Sequence, residues 1–101
     1  MILIDPPLWP FRGRVWSHMV SDSSYEELHV FAARLGVPPR AFDRDHYDVP
    51  SELYQRAIDL GASPVGCQEL LSRLTRAGLR RPKRRPTRPP GTAAMNPVPG
   101  T

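Results

Sequence analysis

VWSHMVSDSSYEELHVFAARLG, residues 15–36, is the stretch whose reading decides the fold. Its opening, Val15 to Val20, is apolar except for Ser17 and His18 and predicts a strand. Ser24 and Glu27 then match the pattern of a helix N-terminus in which a serine and a glutamate three residues on satisfy free backbone N–H groups, with Ser23 and Glu26 as the alternative register. Leu28, Phe31, Ala32 and Leu35 recur at helical spacing and place one apolar stripe on one face. Gly36 supplies the stop, and Pro38-Pro39 prevents the helix from resuming. A strand feeding directly into an amphipathic helix is the unit of an α/β domain.

Outward from this unit the pattern repeats. Met1 to Ile4 is a short β-branched apolar run and predicts a buried strand. Residues 6–14 hold three prolines and a glycine and read as a loop. If it crosses over to a parallel neighbour, the Asp5–Arg14 segment must return the chain in an extended form, and that parallel pairing is the expectation. His46 to Val49 predicts a further strand, and a helix opening at Pro50 or Ser51 turns Leu53, Ala57, Ile58 and Leu60 inward before Gly61. Ala62 to Val65 is a short extended piece. A third helix runs from about Cys67 to Ala77, with Leu70, Leu71 and Leu74 inward and Gly78 as its stop. The expectation is a compact α/β domain over residues 1–79: a small parallel or mixed sheet of three to four short strands with three packed helices. A domain of that size buries about 60–65% of its unfolded surface, enough for one modest core.

Charge is distributed unevenly. Before residue 80 there are eight basic and ten acidic residues, whereas residues 80–101 hold six basic residues, no acidic ones and six of the thirteen prolines. The pI near 10.0 therefore belongs to the tail. Such a segment buries too little apolar surface to offset its ordering entropy and is expected to be disordered. Its Arg80, Arg81, Lys83, Arg84, Arg85 and Arg88 are candidate contacts for nonspecific nucleic acid or another polyanion. Thirteen arginines against one lysine fit an arginine-rich codon usage as well as phosphate binding. The lone Cys67 excludes an internal disulfide, reads as buried packing, and suits a reducing compartment. No secretory signal and no stretch near the ~18 apolar residues of a membrane span is present, so a cytoplasmic location without membrane contact is expected.

The polar residues at the strand ends are the candidate site. Asp5, His18, Asp22, His46 and Asp48 supply imidazole and carboxylate groups in numbers sufficient for a divalent metal or a phosphate-bearing ligand. Their spacing matches no standard metal signature, and each has a structural alternative. Asp22 and Asp48 would suit helix N-termini, Asp5 a turn before Pro6-Pro7, and the two histidines ordinary half-buried partners. His29 reads as a boundary residue of the first helix. In the loop, Trp9, Arg12, Arg14 and Trp16, with Phe11, combine aromatic faces with guanidinium groups that could stack on bases and grip phosphates; covering a sheet edge is the alternative.

Trp16-Ser17-His18-Met19, the His18 to Asp22 pattern, Glu27-Leu28-His29, His46-Tyr47-Asp48 and Arg56-Ala57 before Gly61-Ala62 together resemble a bacterial and phage family, domain of unknown function 4031. The resemblance covers about residues 1–79. It implies a shared fold and brings no activity. Phage members often carry Asp where this chain has Pro6, which implies that a paired-carboxylate site at that point is absent here. Two functional expectations follow. One is a small domain whose His/Asp site binds a metal or phosphate-bearing ligand, with metal-assisted hydrolysis as its chemistry if it is catalytic. The other is a non-enzymatic binding or accessory module with nucleic-acid affinity through its tail.

Overall fold

The computed structural model describes residues 1–82. In chain order the elements are β1 (Ile2–Ile4), β2 (Trp9–Phe11), β3 (Arg14–Ser21), α1 (Tyr25–Leu35), β4 (Phe42–Asp43), β5 (His46–Pro50), α2 (Tyr54–Asp59), β6 (Ser63–Pro64) and α3 (Cys67–Arg76). Tight 3-10 turns at Pro39–Ala41 and Ser51–Leu53 lead into β4 and α2. The α/β class and the three helices are as expected, while the mixed sheet has six strands instead of three or four.

The long strand β3 is the spine of that sheet. β1 pairs antiparallel with its C-terminal half, Ile2 opposite Ser21 and Ile4 opposite Met19. β2 pairs antiparallel with its beginning, Trp9 opposite Trp16. β5 runs antiparallel along the other side, with His18 opposite Asp48, and β4 lies beyond it. β6 is parallel to β1. The expected parallel pairing of the first two predicted strands is thus corrected. β1 and β2 lie end to end on the same side of β3 and return through one hairpin, which needs no crossover connection.

The loop expected over residues 6–14 is corrected for the same reason. Phe11 opposite Arg14 leaves Arg12-Gly13 as a two-residue hairpin turn, and both residues have positive φ, 53° and 75°. That is the backbone whose twist matches two flanking antiparallel strands. Pro10 is tolerated because β2 is an edge strand, whose N–H groups need no second partner. A second tight hairpin joins β4 to β5 with Asp43 opposite His46. There Arg44 has φ 61° and the Asp45 N–H donates to the Asp43 carbonyl at 2.6 Å, a three-residue turn of the strained kind.

Ser24 caps α1 as expected, its Oγ accepting from the Glu27 N–H at 3.1 Å, and Gly36 ends the helix with φ 92°. The Glu27 carboxylate does not return to the Ser24 N–H. It takes Ser21 Oγ–H and the Met1 ammonium instead, and Ser21 Oγ accepts from the Ser24 N–H.

The strand alternation divides the apolar residues between two layers. Ile2, Ile4, Met19, Tyr47 and Val49 pack beneath α1 and α2. Leu3 and Val20 face the other way and pack against Leu70 and Leu74 of α3. Leu71, expected inward, is 43% exposed, and Cys67, expected buried, is exposed. Both follow from α3 gripping the sheet over β1 and the end of β3, with Leu70 and Leu74 as the gripping pair. The rest of that sheet face is left without a helix.

Candidate functional site

The uncovered half of the sheet carries the polar residues. Period-two alternation turns His18 of β3 to the same face as Leu3 and Val20, and His46 and Asp48 of β5 to the face opposite Tyr47 and Val49. The imidazoles of His18 and His46 meet edge to face with centroids 5.2 Å apart, and the Trp9 ring lies 5.0 Å from His18. One ligand atom from each of His18, His46 and Asp48 falls within 4.8 Å of the others, and all three residues are half-buried. Among the described residues this is the one group of three or more such side chains close enough to share an ion.

Each imidazole is anchored from behind by a buried carboxylate. Asp5 is fully buried, and its Oδ2 lies 2.8 Å from His18 Nδ1 and 3.3 Å from the Trp9 indole nitrogen. Because an ionised carboxylate only accepts, His18 Nδ1 carries a proton in this bond, so that in the neutral ring Nε2 is the nitrogen with the free lone pair. Asp5 also mends the sheet. Its N–H donates to the His18 carbonyl at 3.1 Å, while the returning His18 N–H goes to Asp5 Oδ1 at 2.6 Å, to the side chain and not to a backbone carbonyl. The ladder is broken there because Pro6-Pro7 lifts the chain away from β3 before β2 resumes it.

Asp45 performs the equivalent task for His46. It is 1% exposed, with Oδ1 2.9 Å from His46 Nδ1. Its Oδ2 accepts from the Arg81 N–H at 2.7 Å and the Arg80 guanidinium at 3.1 Å. His46 Nε2 lies 3.1 Å from Asp48 Oδ1, so this ring stands between two carboxylates. Burial disfavours a charged His46, yet the hydrogen bonds and negative charge of Asp48 and Asp45 prevail and raise its pKa above the usual 6.5. Burial likewise opposes ionisation of Asp45, but the His46, Arg81 and Arg80 bonds outweigh it and hold the carboxyl below the usual 3.8.

Two clefts border the cluster, and Trp9 belongs to the wall of both. One, of about 350 Å³, runs under the start of α3 and is lined by Asp5, His18, Asp45, His46, Cys67, Leu71 and Arg80 among others. The other, of about 470 Å³, lies between the β2–β3 hairpin and the β4 segment and reaches Asp48.

Of the five residues expected at the site, His18, His46 and Asp48 converge, and Asp5 lies directly behind His18. Asp22 is elsewhere. It pairs with the Met1 ammonium at 3.1 Å and with Arg73 at 2.8 Å, which hold its pKa below the usual 3.8 against the opposing effect of burial. It does not cap α1, since Ser24 does, and Asp48 does not cap the segment after β5, where no side chain caps the helix. In the loop region, Arg14 is tied to Glu52 at 2.8 Å and Trp16 donates to the Phe11 carbonyl at 3.0 Å. His29 bonds the Tyr47 hydroxyl at 2.7 Å and takes no part in the cluster. Arg80 and Arg81, expected to offer charge to a polyanion, are engaged with the body: Arg80 on Asp45, and Arg81 with its guanidinium 4.4 Å from the Tyr25 ring centroid. Lys83, Arg84, Arg85 and Arg88 lie outside the described residues. Asp45 was missed by sequence reasoning. Its signal was adjacency to His46 in the run Asp43-Arg44-Asp45-His46-Tyr47-Asp48, where three carboxylates surround one imidazole.

Among the described residues no helix is long and apolar enough to cross a membrane. A family model described as "Protein of unknown function (DUF4031)" matches residues 2–77. No curated protein and no solved structure matches the chain.

Proposed function

The chain belongs to the DUF4031 family of proteins of unknown function, and since membership brings no activity with it, we propose from its own geometry that His18, His46 and Asp48 form a mononuclear divalent-metal centre. The observation that supports this is the pair of buried carboxylates, Asp5 and Asp45, each holding the Nδ1 of one imidazole. Metal-ligating histidines are characteristically fixed this way, because the outer bond sets the tautomer and makes the inner nitrogen a better donor. Ligand atoms about 2.0–2.2 Å from a common tetrahedral ion lie roughly 3.3–3.6 Å apart. His46 Nε2 and Asp48 Oδ1 are separated by 3.1 Å and all three ligand atoms fall within 4.8 Å of one another, so small side-chain rotations would bring them onto one ion.

Two imidazoles and one carboxylate suit Zn, Mn or Fe and leave coordination positions open toward the clefts. An ion so held would lower the pKa of a bound water toward neutrality and supply a nucleophile for hydrolysis. Before an ion enters, His46 Nε2 must release its proton, because a ligating imidazole nitrogen cannot carry one.

The test is titration of zinc and manganese into gently purified, chelator-treated protein, beside His18→Ala and Asp48→Asn variants. One ion per chain in the parent, and none in variants that keep the parent's circular dichroism, is the expected result. Equal uptake by parent and variants would refute the assignment. One observation favours a second reading, a metal-free acid–base pair: His46 is held toward its cationic form beside His18. Under that reading a chelator leaves activity intact, whereas the metal centre loses it.

A further inference from the structure

The 470 Å³ cleft points to a substrate for this centre. Its walls combine Trp9, Phe11, Trp16 and Phe42 with Arg12 and Arg40; of its two carboxylates, Asp43 is paired with Arg44 at 2.7 Å and Asp48 belongs to the centre. The volume is that of a small-ligand cleft, about 300–1,000 Å³. Apolar faces alone would suit many partners, but the charge narrows the choice. Arg12 and Arg40 are exposed, and neither meets a carboxylate among the described residues, whereas Arg14 on the same hairpin is neutralised by Glu52. The Arg12 guanidinium lies 5.2 Å from the Phe11 ring centroid, and flat aromatic faces beside guanidinium groups that no carboxylate neutralises fit a base and a phosphate respectively.

The aromatics are also unusually open for a domain with so few of them: Trp9 is 44% and Phe11 60% exposed. Their backbone holds them there. The β2–β3 hairpin is closed by Arg12 at φ 53°, a conformation that an L-residue other than Asn or Asp adopts at a cost. Covering a sheet edge needs no arginine at that position.

We infer that this cleft binds single-stranded nucleic acid, stacking a base on the Trp9–Trp16 hairpin with the backbone on Arg12 and Arg40, and delivers an adjacent phosphodiester to the His18/His46/Asp48 centre. The delivery step rests on the metal reading above; the binding does not. A strand, not a duplex, is implied because stacking on tryptophan requires unpaired bases. An ion held by His18, His46 and Asp48 would supply a hydroxide nucleophile: a new P–O bond would form as the P–O bond to one sugar oxygen breaks, the proton released by the water being balanced by the one the leaving alkoxide takes up, with no redox change.

The chain supplies its own local probe, since both of its tryptophans line the cleft. Oligouridylate and oligothymidylate are titrated into the full-length, chelator-treated protein while indole fluorescence is followed, with uridine monophosphate and a duplex as competitors. The comparison variant is Arg12→Asn/Arg40→Ala, in which Asn suits the left-handed turn and Arg40 is exposed. Saturable quenching is expected, weakened in the variant, with the slope of log K against log salt shallower by about 1.4 for two lost phosphate contacts. Quenching by one oligonucleotide and not the other also supports the inference and shows which sugar the cleft accepts. Binding without quenching would place the affinity in the basic tail and overturn it. So would an unchanged slope in the variant, quenching by the monophosphate as tight as by the oligomer, or equal affinity for the duplex. Chelation removes the metal from this assay, so quenching without metal uptake leaves the cleft standing and the metal centre refuted, and uptake without quenching does the reverse.

Discussion

Asp5→Asn separates holding the sheet together from orienting His18, the proposed metal ligand. In the parent, the buried carboxylate accepts from the His18 N–H at 2.6 Å, from His18 Nδ1 at 2.8 Å and from the Trp9 indole at 3.3 Å. An asparagine of the same shape keeps one acceptor. The His18 backbone N–H can only donate, so it claims the amide oxygen, and the amide NH2 then faces Nδ1. The imidazole answers by moving its proton: Nδ1 accepts and Nε2 becomes the N–H. A protonated Nε2 is no ligand, and disturbing an outer-shell partner typically lowers metal affinity about 10–100-fold. Stability falls less. A charge-assisted bond of about 1.5–3 kcal/mol becomes a neutral one of about 0.5–1.5, and the partly exposed Trp9 N–H can turn to water. The net loss is about 1–2 kcal/mol, or roughly 4–16 °C in Tm for a domain of this size. Asp5→Ala also leaves the His18 N–H without its acceptor, adding about 1–3 kcal/mol. The assay pairs zinc titration with nitrogen NMR of the imidazoles and a urea melt. A folded Asp5→Asn protein whose His18 keeps its proton on Nδ1, or whose zinc affinity is unchanged, would refute this account.

Asp45→Asn tests the second anchor through pH. The Asp45 pKa is lowered in the folded state, so its stabilising contribution is full above the unfolded value near 3.8 and is lost as pH falls through the folded value. The His46 pKa is raised, so its contribution is full below 6.5 and is lost as pH rises through its folded value. Urea melts should therefore show the largest gap between parent and variant between about pH 4 and 6.5, roughly 2–4 kcal/mol from the His46 bond and a partly screened Arg80 bond. A gap constant from pH 3 to 9 would contradict it. Arg12→Asn alone relieves the left-handed turn at φ 53° and should raise Tm by an amount equivalent to about 0.5–1 kcal/mol; a lower Tm would mean that the Arg12 side chain stabilises the hairpin.

The helices and the inward strands were legible because periodicity reports burial. Ser24, Leu28, Phe31, Leu35 and Gly36 specify α1 locally, and the structure repeats that reading residue by residue. β2 was hidden by Pro6, Pro7 and Pro10, which mark a loop unless the strand is known to be an edge, a property of the sheet and not of the segment. Leu71 was misplaced because helical spacing shows which leucines share a face but not how much sheet lies beneath it. His18, His46 and Asp48 were legible as candidates by chemistry alone. Their convergence depends on register: β1 pairs with only the end of a long β3, so the terminus of β1 meets the middle of its antiparallel neighbour and Asp5 arrives beside His18. Matching strands of equal length end to end would have put the two apart. Asp22 looked equivalent because it follows the same strand, yet it lies past the β1 end of the pairing, where Met1 and Arg73 claim it.

Several departures from what sheet stability requires coincide at one patch. Pro6-Pro7 interrupts the β1–β2 edge at Asp5. Asp5 and Asp45 are carboxylates removed from water. Among the described residues, the two non-glycine residues with positive φ, Arg12 and Arg44, close the two hairpins flanking His18 and His46. The helix that covers Leu3 and Val20 stops short of the histidines. Each departure alone has a structural explanation: the two left-handed turn residues cost about 1–2 kcal/mol each, and the buried carboxylates offset their desolvation only through the bonds they accept. A domain of some eighty residues retains only about 4–12 kcal/mol of net stability, so it carries little margin for defects that serve nothing. Replacing Asp5, His18, Asp45 and His46 by packed apolar residues would relieve the burial cost while preserving the alternation that makes the strands. What such a replacement could not keep is a pair of imidazoles held in fixed orientations beside open clefts, and that is the property the strain and the buried charges jointly maintain.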